Sequence, residues 1–254
     1  MRHGSFAVLL RKELREQTRS YRLLVLGVLF IFFGLASPLF AKFTPEIVKM
    51  AGTDQGITIV LPEPTAADAV TQYVKNLSQI VLFVLIFLSM GAVVAEKERG
   101  TAVFVLVKPA SRLAFLSAKL AVLWAAVTGT LILSALCTYG YTAVLFQPPS
   151  VVGMVAANLA LLLHLLTFVT TTFFWSALAR SQVVAGVLSF LTWILLTSLG
   201  GLGAVSEFLP GRLLSAAMEA AAGVPLPWQP LVGSEALTAL AFVGAVFAFR
   251  RWEP

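Results

Sequence analysis

The chain is poor in most of the residue types that catalysis and metal binding draw on. Its 254 residues include one cysteine and two histidines, and only 12% of them are charged. A lone Cys137 cannot form an internal disulfide, and its place inside an apolar run makes it core filler. No G-x-x-x-x-G-K-[ST] string occurs, so the chain has no phosphate cradle of its own; H-E-x-x-H and G-x-S-x-G are also missing. The longest gap in charge runs from Leu120 to Ala179, 60 residues without one Lys, Arg, Asp or Glu.

Apolar side chain is abundant instead. Hydrophobic residues make up 59% of the chain, against about 45–50% in a soluble domain. A soluble fold could not hide that much, so the chain belongs in a membrane. The formal charge of +6 does not imply nucleic acid, because the basic residues sit in short clusters beside apolar runs. A helix needs roughly 20 apolar residues to cross about 30 Å of hydrocarbon. Six runs qualify: about 23–40, 77–95, 120–146, 151–178, 183–202 and 231–249. "QPPS" at 147–150 and "ARSQ" at 179–182 divide the third, fourth and fifth as tight turns. The expected fold is therefore an all-α, polytopic integral membrane protein with six transmembrane helices, one domain over 1–254.

Lys and Arg set its orientation. With the N-terminus inside, the cytoplasmic segments hold 14 of the 18 basic residues, and Lys42, Lys49, Lys75 and Arg212 remain outside. That asymmetry places both termini and the 96–119 connection in the cytoplasm, with 41–76 and 203–233 external.

The segments between spans carry their own signals. Residues 5–22, "SFAVLLRKELREQTRSYR", put Phe6, Leu10 and Leu14 at four-residue spacing with Leu9 beside them, and Arg11, Lys12, Arg15 and Arg19 on the other side. This predicts an interfacial amphipathic helix with its cations toward anionic lipid or a partner. In 41–76, Thr65 is a candidate N-cap with Asp68 three residues on, and the acids there lack the convergence a metal needs. In 203–233, Pro210 marks a helix start and Gly223 its stop. That helix either lies on the outer interface or dips into the bilayer between spans five and six. His164 sits mid-run with Thr167 and Thr171 on its helical face. Without an acid partner it is no proton relay, and a neutral imidazole bonded to a nearby hydroxyl or carbonyl is the cheaper arrangement.

The strongest signal is the stretch after span two, "VVAEKERGTAVFVLVKPASR" at 93–112. Charges at Glu96 to Arg99 stop the span, Gly100 can cap it, and "TAVFVLV" forms a short apolar element that Pro109 breaks. Ser111 then caps span three. Val103, Phe104, Leu106 and Val107 need a protein groove or the membrane surface.

Here the sequence resembles the permease subunits of ABC-2 type (type V) ABC transporters. The likeness rests on the basic helix "RKELREQTRSYR", the "EKERGT…PASR…K" stretch after span two, the "PEPTAADAVTQYVKNLSQ" approach to that span, the six-span count and the helix before span six. The resemblance implies a dimer of permeases in a prokaryotic inner membrane, performing no chemistry of its own, with each copy bound to a separate ATP-binding subunit that holds ATP and Mg. It implies further that 96–119 is the coupling segment, marked by Glu98, Arg99, Gly100, Thr101, Lys108, Pro109, Ser111 and Arg112. Phe104 and Leu106 would be the apolar contacts of that plug. No cofactor, metal or nucleic acid is expected on this chain, and export is the expected direction. An ion-coupled carrier or channel, and an intramembrane enzyme built on His164, are the alternatives that the residues leave open.

The missing phosphate cradle generates the first test. The purified chain should neither bind nor hydrolyse ATP, measured with a nucleotide-binding assay and phosphate release. Robust turnover by the chain alone, free of contaminating ATPase, would overturn the permease reading.

Overall fold

In the computed structural model, residues 3–53, 62–100, 111–199 and 203–252 are described, and all their regular structure is helical. The elements are α1 (His3–Arg19), α2 (Tyr21–Thr53), α3 (Ala66–Asn76), a π-turn (Leu77–Val81), α4 (Leu82–Ser89) and α5 (Val94–Glu98). After them come α6 (Arg112–Leu145), α7 (Val151–Leu178), α8 (Gln182–Ser198), a 3₁₀ turn (Gly203–Phe208), α9 (Pro210–Ala221) and α10 (Trp228–Arg250). Five stretches are long and apolar enough to cross a membrane: Tyr21–Met50, Ala66–Glu98, Arg112–Leu145, Val151–Leu178 and Trp228–Arg250. The sixth run, α8, is apolar but has only 17 residues. The protein is an all-helical polytopic membrane protein.

Two expected boundaries move. Span one does not end near 40, and the segment after it is not a loop from 41: α2 continues through Pro38 and Pro45 to Thr53. A proline inside a helix removes an N–H and strands the carbonyl four residues back. For Pro38 that carbonyl belongs to Gly34, and Thr138 Oγ1 of α6 donates to it at 3.0 Å. Ser134 donates likewise to the Phe30 carbonyl. Such close contact requires a small residue, since a Cβ on Gly34 would lie 2.8 Å from Ser134 Oγ. Thr138 thus repairs the helix, and together with Ser134 it joins span one to span three. Span two also starts earlier than 77, because α3 runs directly into the π-turn and α4. Thr65 caps α3 as expected, and Asp68 closes the capping box by accepting from Thr65 N at 2.8 Å.

The helix before span six dips inward. Its first residue, Pro210, offers its carbonyl to His164 Nδ1 at 3.0 Å, and His164 lies at the middle of α7. At its other end a Cβ on Gly153 would stand 2.6 Å from the Ala220 carbonyl. α9 therefore lies along the first half of α7, from that helix's start to its midpoint, which decides for the inserted arrangement. Leu213, Ala216, Ala217 and Ala220 are buried against it. Gly223 stops the helix at φ +91, a conformation other residues rarely adopt.

Among the described residues two main apolar centres fill the interior, beside a minor one of Val94, Ala179 and Ala185. Phe30, Tyr73, Leu77, Leu161, Phe168 and Leu213 belong to the larger. Leu9, Val93, Phe115, Phe173 and Phe249 belong to the smaller, at the end of the bundle where α1 docks. Large apolar side chains such as Leu24, Phe32, Phe83, Leu136 and Leu191 stay exposed around the perimeter, as a lipid-facing surface requires.

The orientation is open to direct measurement in a background carrying Cys137→Ser. Single cysteines at Glu63 and Val224 should react with impermeant maleimide in intact cells, whereas one at Arg180 should react only after permeabilisation. The reverse pattern would invert the topology.

Candidate functional site at the charged end of the bundle

The ends of spans two, three, four and six meet where α1 packs, and charged residues of α1 and of spans two and three bond one another there. The centre is Lys119, seven residues into α6 and only 6% exposed. Its Nζ lies 2.9 Å from Glu13 Oε2 of α1 and 2.7 Å from Glu96 Oε1 of α5. Lys12 joins from the rim, 2.9 Å from Glu13, 3.1 Å from Glu96 and 3.5 Å from Glu16. Two ammonium groups thus bridge the carboxylates of buried Glu13 and partly buried Glu96 across three elements, with exposed Glu16 at the rim. Pairing matters, because an unpaired buried charge costs several kcal/mol. Burial alone would favour uncharged Lys12, but Glu13 and then Glu96 outweigh it and raise its pKa above the ordinary lysine value. Carboxylate oxygens of Glu13, Glu16 and Glu96 lie within 4.8 Å of one another, a spacing a metal ion can use. Lys12 reaches all three, so ammonium already supplies the countercharge.

α1 accordingly differs from the expected interfacial helix in one respect. Its buried side is Leu9 and Glu13, set on span three, while Phe6 and Leu14 remain exposed. Lys12 turns inward to the cluster; Arg11, Arg15 and Arg19 are exposed on the far side.

Around the cluster, the residues flanking the 96–119 connection bond to neighbouring helix ends. Span two breaks at Met90–Val93, and the N–H groups of Val93 and Val94 donate to Ser176 Oγ of α7 at 3.0 and 3.1 Å. Lys97, which spacing alone would treat as a rim charge, is half-buried and donates to the carbonyls of Ala177 and Ala179 at 2.8 and 3.1 Å. Glu98 accepts from Gln182 Nε2 at 2.9 Å. Arg99 is exposed, and Gly100 ends α5 at φ +69, the left-handed stop expected there. Ser111 caps α6 by accepting from Ala114 N at 3.1 Å. Arg112 donates to the carbonyls of Phe249, Arg250 and Trp252 at 3.1, 2.7 and 3.4 Å. Thr101, Phe104, Leu106, Lys108 and Pro109 lie outside the described residues, as do Val103 and Val107.

His164 stands apart from this end. Its Nδ1 must carry the proton, since the Pro210 carbonyl can only accept, and its ring packs edge-on against Phe168. Thr167 and Thr171 bond elsewhere, Thr167 receiving Thr238 Oγ1 at 3.0 Å and Thr171 donating to the Thr167 carbonyl. The histidine pins α9 to α7 and reaches no acid among the described residues.

Sequence spacing missed Glu13, Glu96, Lys119 and Ser176 as partners. One signal was there for Glu13. It lies four residues after Leu9, on the side of α1 that packs inward, and an acid on such a side requires a cation from another element.

Residues 7–210 match the family model described as ABC-2 family transporter protein. The chain is also similar to an uncharacterized transmembrane protein, YxlG, of Bacillus subtilis (strain 168). The two are 26% identical over 184 residues, covering 70% of this chain and 68% of that protein.

The cluster predicts a stability asymmetry. Lys119→Met removes the buried ammonium that Glu13 and Glu96 share and should destabilise the protein by about 3–5 kcal/mol. Adding Glu13→Gln removes the buried carboxylate that Lys119 paired and should recover part of that loss. Thermal unfolding in detergent, followed by size-exclusion fluorescence, measures both. Wild-type unfolding of the single variant would show that the cluster holds nothing together.

Proposed function

The chain belongs to the ABC-2 transporter family, and on that premise we propose that it is the permease subunit of an ATP-driven exporter in a prokaryotic inner membrane. A separate ATP-binding subunit carries the nucleotide and Mg, and a second permease copy completes the pathway. The observation that carries this reading is the 96–119 connection. It leaves span two through a charged stop, returns through a capped helix, and holds an apolar run between them. An apolar plug in an ATPase groove transmits motion if hydrophobic contacts hold it and charges orient it. Phe104 and Leu106 supply the contacts in this reading, and Glu98 and Arg99 the orientation. Gly100 and Ser111 bound the plug where helices stop and start; Thr101, Lys108, Pro109 and Arg112 complete the segment.

The absence of intramembrane carboxylates from 120–179 also favours an external energy source. An ion-coupled carrier normally keeps such groups near mid-membrane to bind its driving ion. A lining of Leu, Val, Phe, Thr and Tyr suits amphiphilic cargo better than free ions. The exposed cations Arg11, Arg15 and Arg19 of α1 face anionic lipid in this picture, and the chain acts as one permease domain.

Burying one Leu or Phe is worth roughly 1.5–3 kcal/mol, and an exposed charge pair about 0–1 kcal/mol. Phe104→Asp or Leu106→Asp should therefore weaken ATPase association far more than Arg99→Ala, with Pro109→Ala between them. Copurification of the ATPase, and the hydrolysis it shows with each variant at equal membrane expression, measures this. Wild-type association and activity in all four would mean that this segment is not the coupling element.

A further inference from the structure

Lys97 and Arg112 stand on either side of the coupling connection, and among the described residues neither bonds a carboxylate. Each donates to backbone carbonyls at the end of a different span. Lys97 takes the Ala177 and Ala179 carbonyls at the end of α7, and Arg112 takes those of Phe249, Arg250 and Trp252 at the end of α10. The last carbonyls of a helix have no intrahelical partner and carry its negative dipole end, so they attract cations.

Ordinary capping uses a cation from the helix's own last turn. Such cations exist here, Arg180 just past α7 and Arg250 and Arg251 at the end of α10, and all three are exposed. The carbonyls are taken instead by residues about 80 and 140 positions away in sequence, and both donors belong to the elements that enter and leave the connection. Two further contacts reinforce this. Ser176 of α7 receives the Val93 and Val94 N–H groups at the span-two break. Phe249 of α10 stacks on Phe115 of α6, ring centroids 5.6 Å apart. α7 and α10 are themselves joined through Thr167 and Thr238.

We propose that Lys97 and Arg112 are positioning residues, a two-point strap that delivers displacement of the coupling connection to spans four and six. The proposal rests on the permease reading above. Force on the connection pulls α7 through Lys97 and α10 through Arg112, and these two helices shift as a pair. Because α9 lies along the outer half of α7, the movement reaches the far side of the membrane at residues 222–226.

The test uses the full chain in complex with its ATP-binding subunit in nanodiscs, with Cys137→Ser and a single cysteine at Val224. The readout is the maleimide labelling rate at that cysteine, without nucleotide and with ATP plus vanadate. The affinity of the ATPase is measured on the same samples. In the wild-type background the labelling rate should change with nucleotide. Lys97→Met should lower that nucleotide-dependent change by about fivefold or more while ATPase affinity stays unchanged, and Lys97→Arg should restore it. Arg112→Met should lower the response as well. Should Lys97→Met fail to elute as a monodisperse complex, Ser176→Ala removes the adjoining contact without altering charge and should depress the same response. A full nucleotide response in Lys97→Met or Ser176→Ala overturns the strap. So does a parallel loss of ATPase affinity in Lys97→Met, which would make Lys97 a docking residue. Failure of the wild-type chain to bind any ATPase would instead overturn the permease reading itself.

Discussion

In hydrocarbon, a backbone carbonyl or N–H that loses its helical partner finds no water to replace it. This protein interrupts its helices repeatedly, and at several interruptions a side chain from another helix fills the vacancy. Pro38 strands the Gly34 carbonyl, and Thr138 supplies the hydroxyl. The break at Met90–Val93 leaves N–H groups that Ser176 accepts. The ends of α7 and α10 leave carbonyls for Lys97 and Arg112. Each repair is also a tie between helices, so the irregularities specify which span lies beside which. In a membrane, where apolar side chains gain little by leaving lipid for protein, such polar ties and close small-residue contacts carry much of the specificity.

The distribution of polarity follows from the same constraint. Hydroxyls that bond their own helix can sit at mid-membrane, as Thr170, Thr171 and Thr172 do by donating four residues back. Full charges cannot, and the buried ones, Glu13 and Lys119, meet at the end of the bundle where α1 docks. There Lys119 escapes the apolar centre around Phe115 only by meeting Glu13 and Glu96. The cluster fixes α1 to the exit of span two and the entry of span three. Any motion of the connection between those spans must then carry α1 with it or pull an ion pair apart at a cost of several kcal/mol.

Much of this was legible in the chain itself. The charge-free run of 120–179 identified spans three and four, and Thr65, Gly100, Ser111, Pro210 and Gly223 each marked the boundary they hold in the structure. Caps and left-handed stops are local, so a few adjacent residues suffice to announce them. The continuation of α2 beyond residue 40 to Thr53 was not legible, because a proline such as Pro45 ordinarily ends a helix. Nor were the contacts of Lys97 and Arg112. A basic residue at a membrane flank looks the same in sequence whether it faces water or caps a distant helix, and only tertiary contact separates the two. Lys119 was hidden for the opposite reason. Its partners are two acids on different elements, and pairing across elements has no fixed spacing.

The position of His164 completes the separation between the two ends. It is the one histidine within the spans, and its bond to Pro210 assigns its proton to structure rather than to transfer. With the imidazole so occupied and no carboxylate between Leu120 and Ala179, this part of the membrane domain offers no acidic group to take up a driving proton or cation. Its cation-rich end, by contrast, has ionic and carbonyl contacts that link α1 and five later helices. Under the permease reading proposed above, that end is where force from an ATP-binding subunit would enter, while the charge-free run beneath it offers no carboxylate to bind a driving ion.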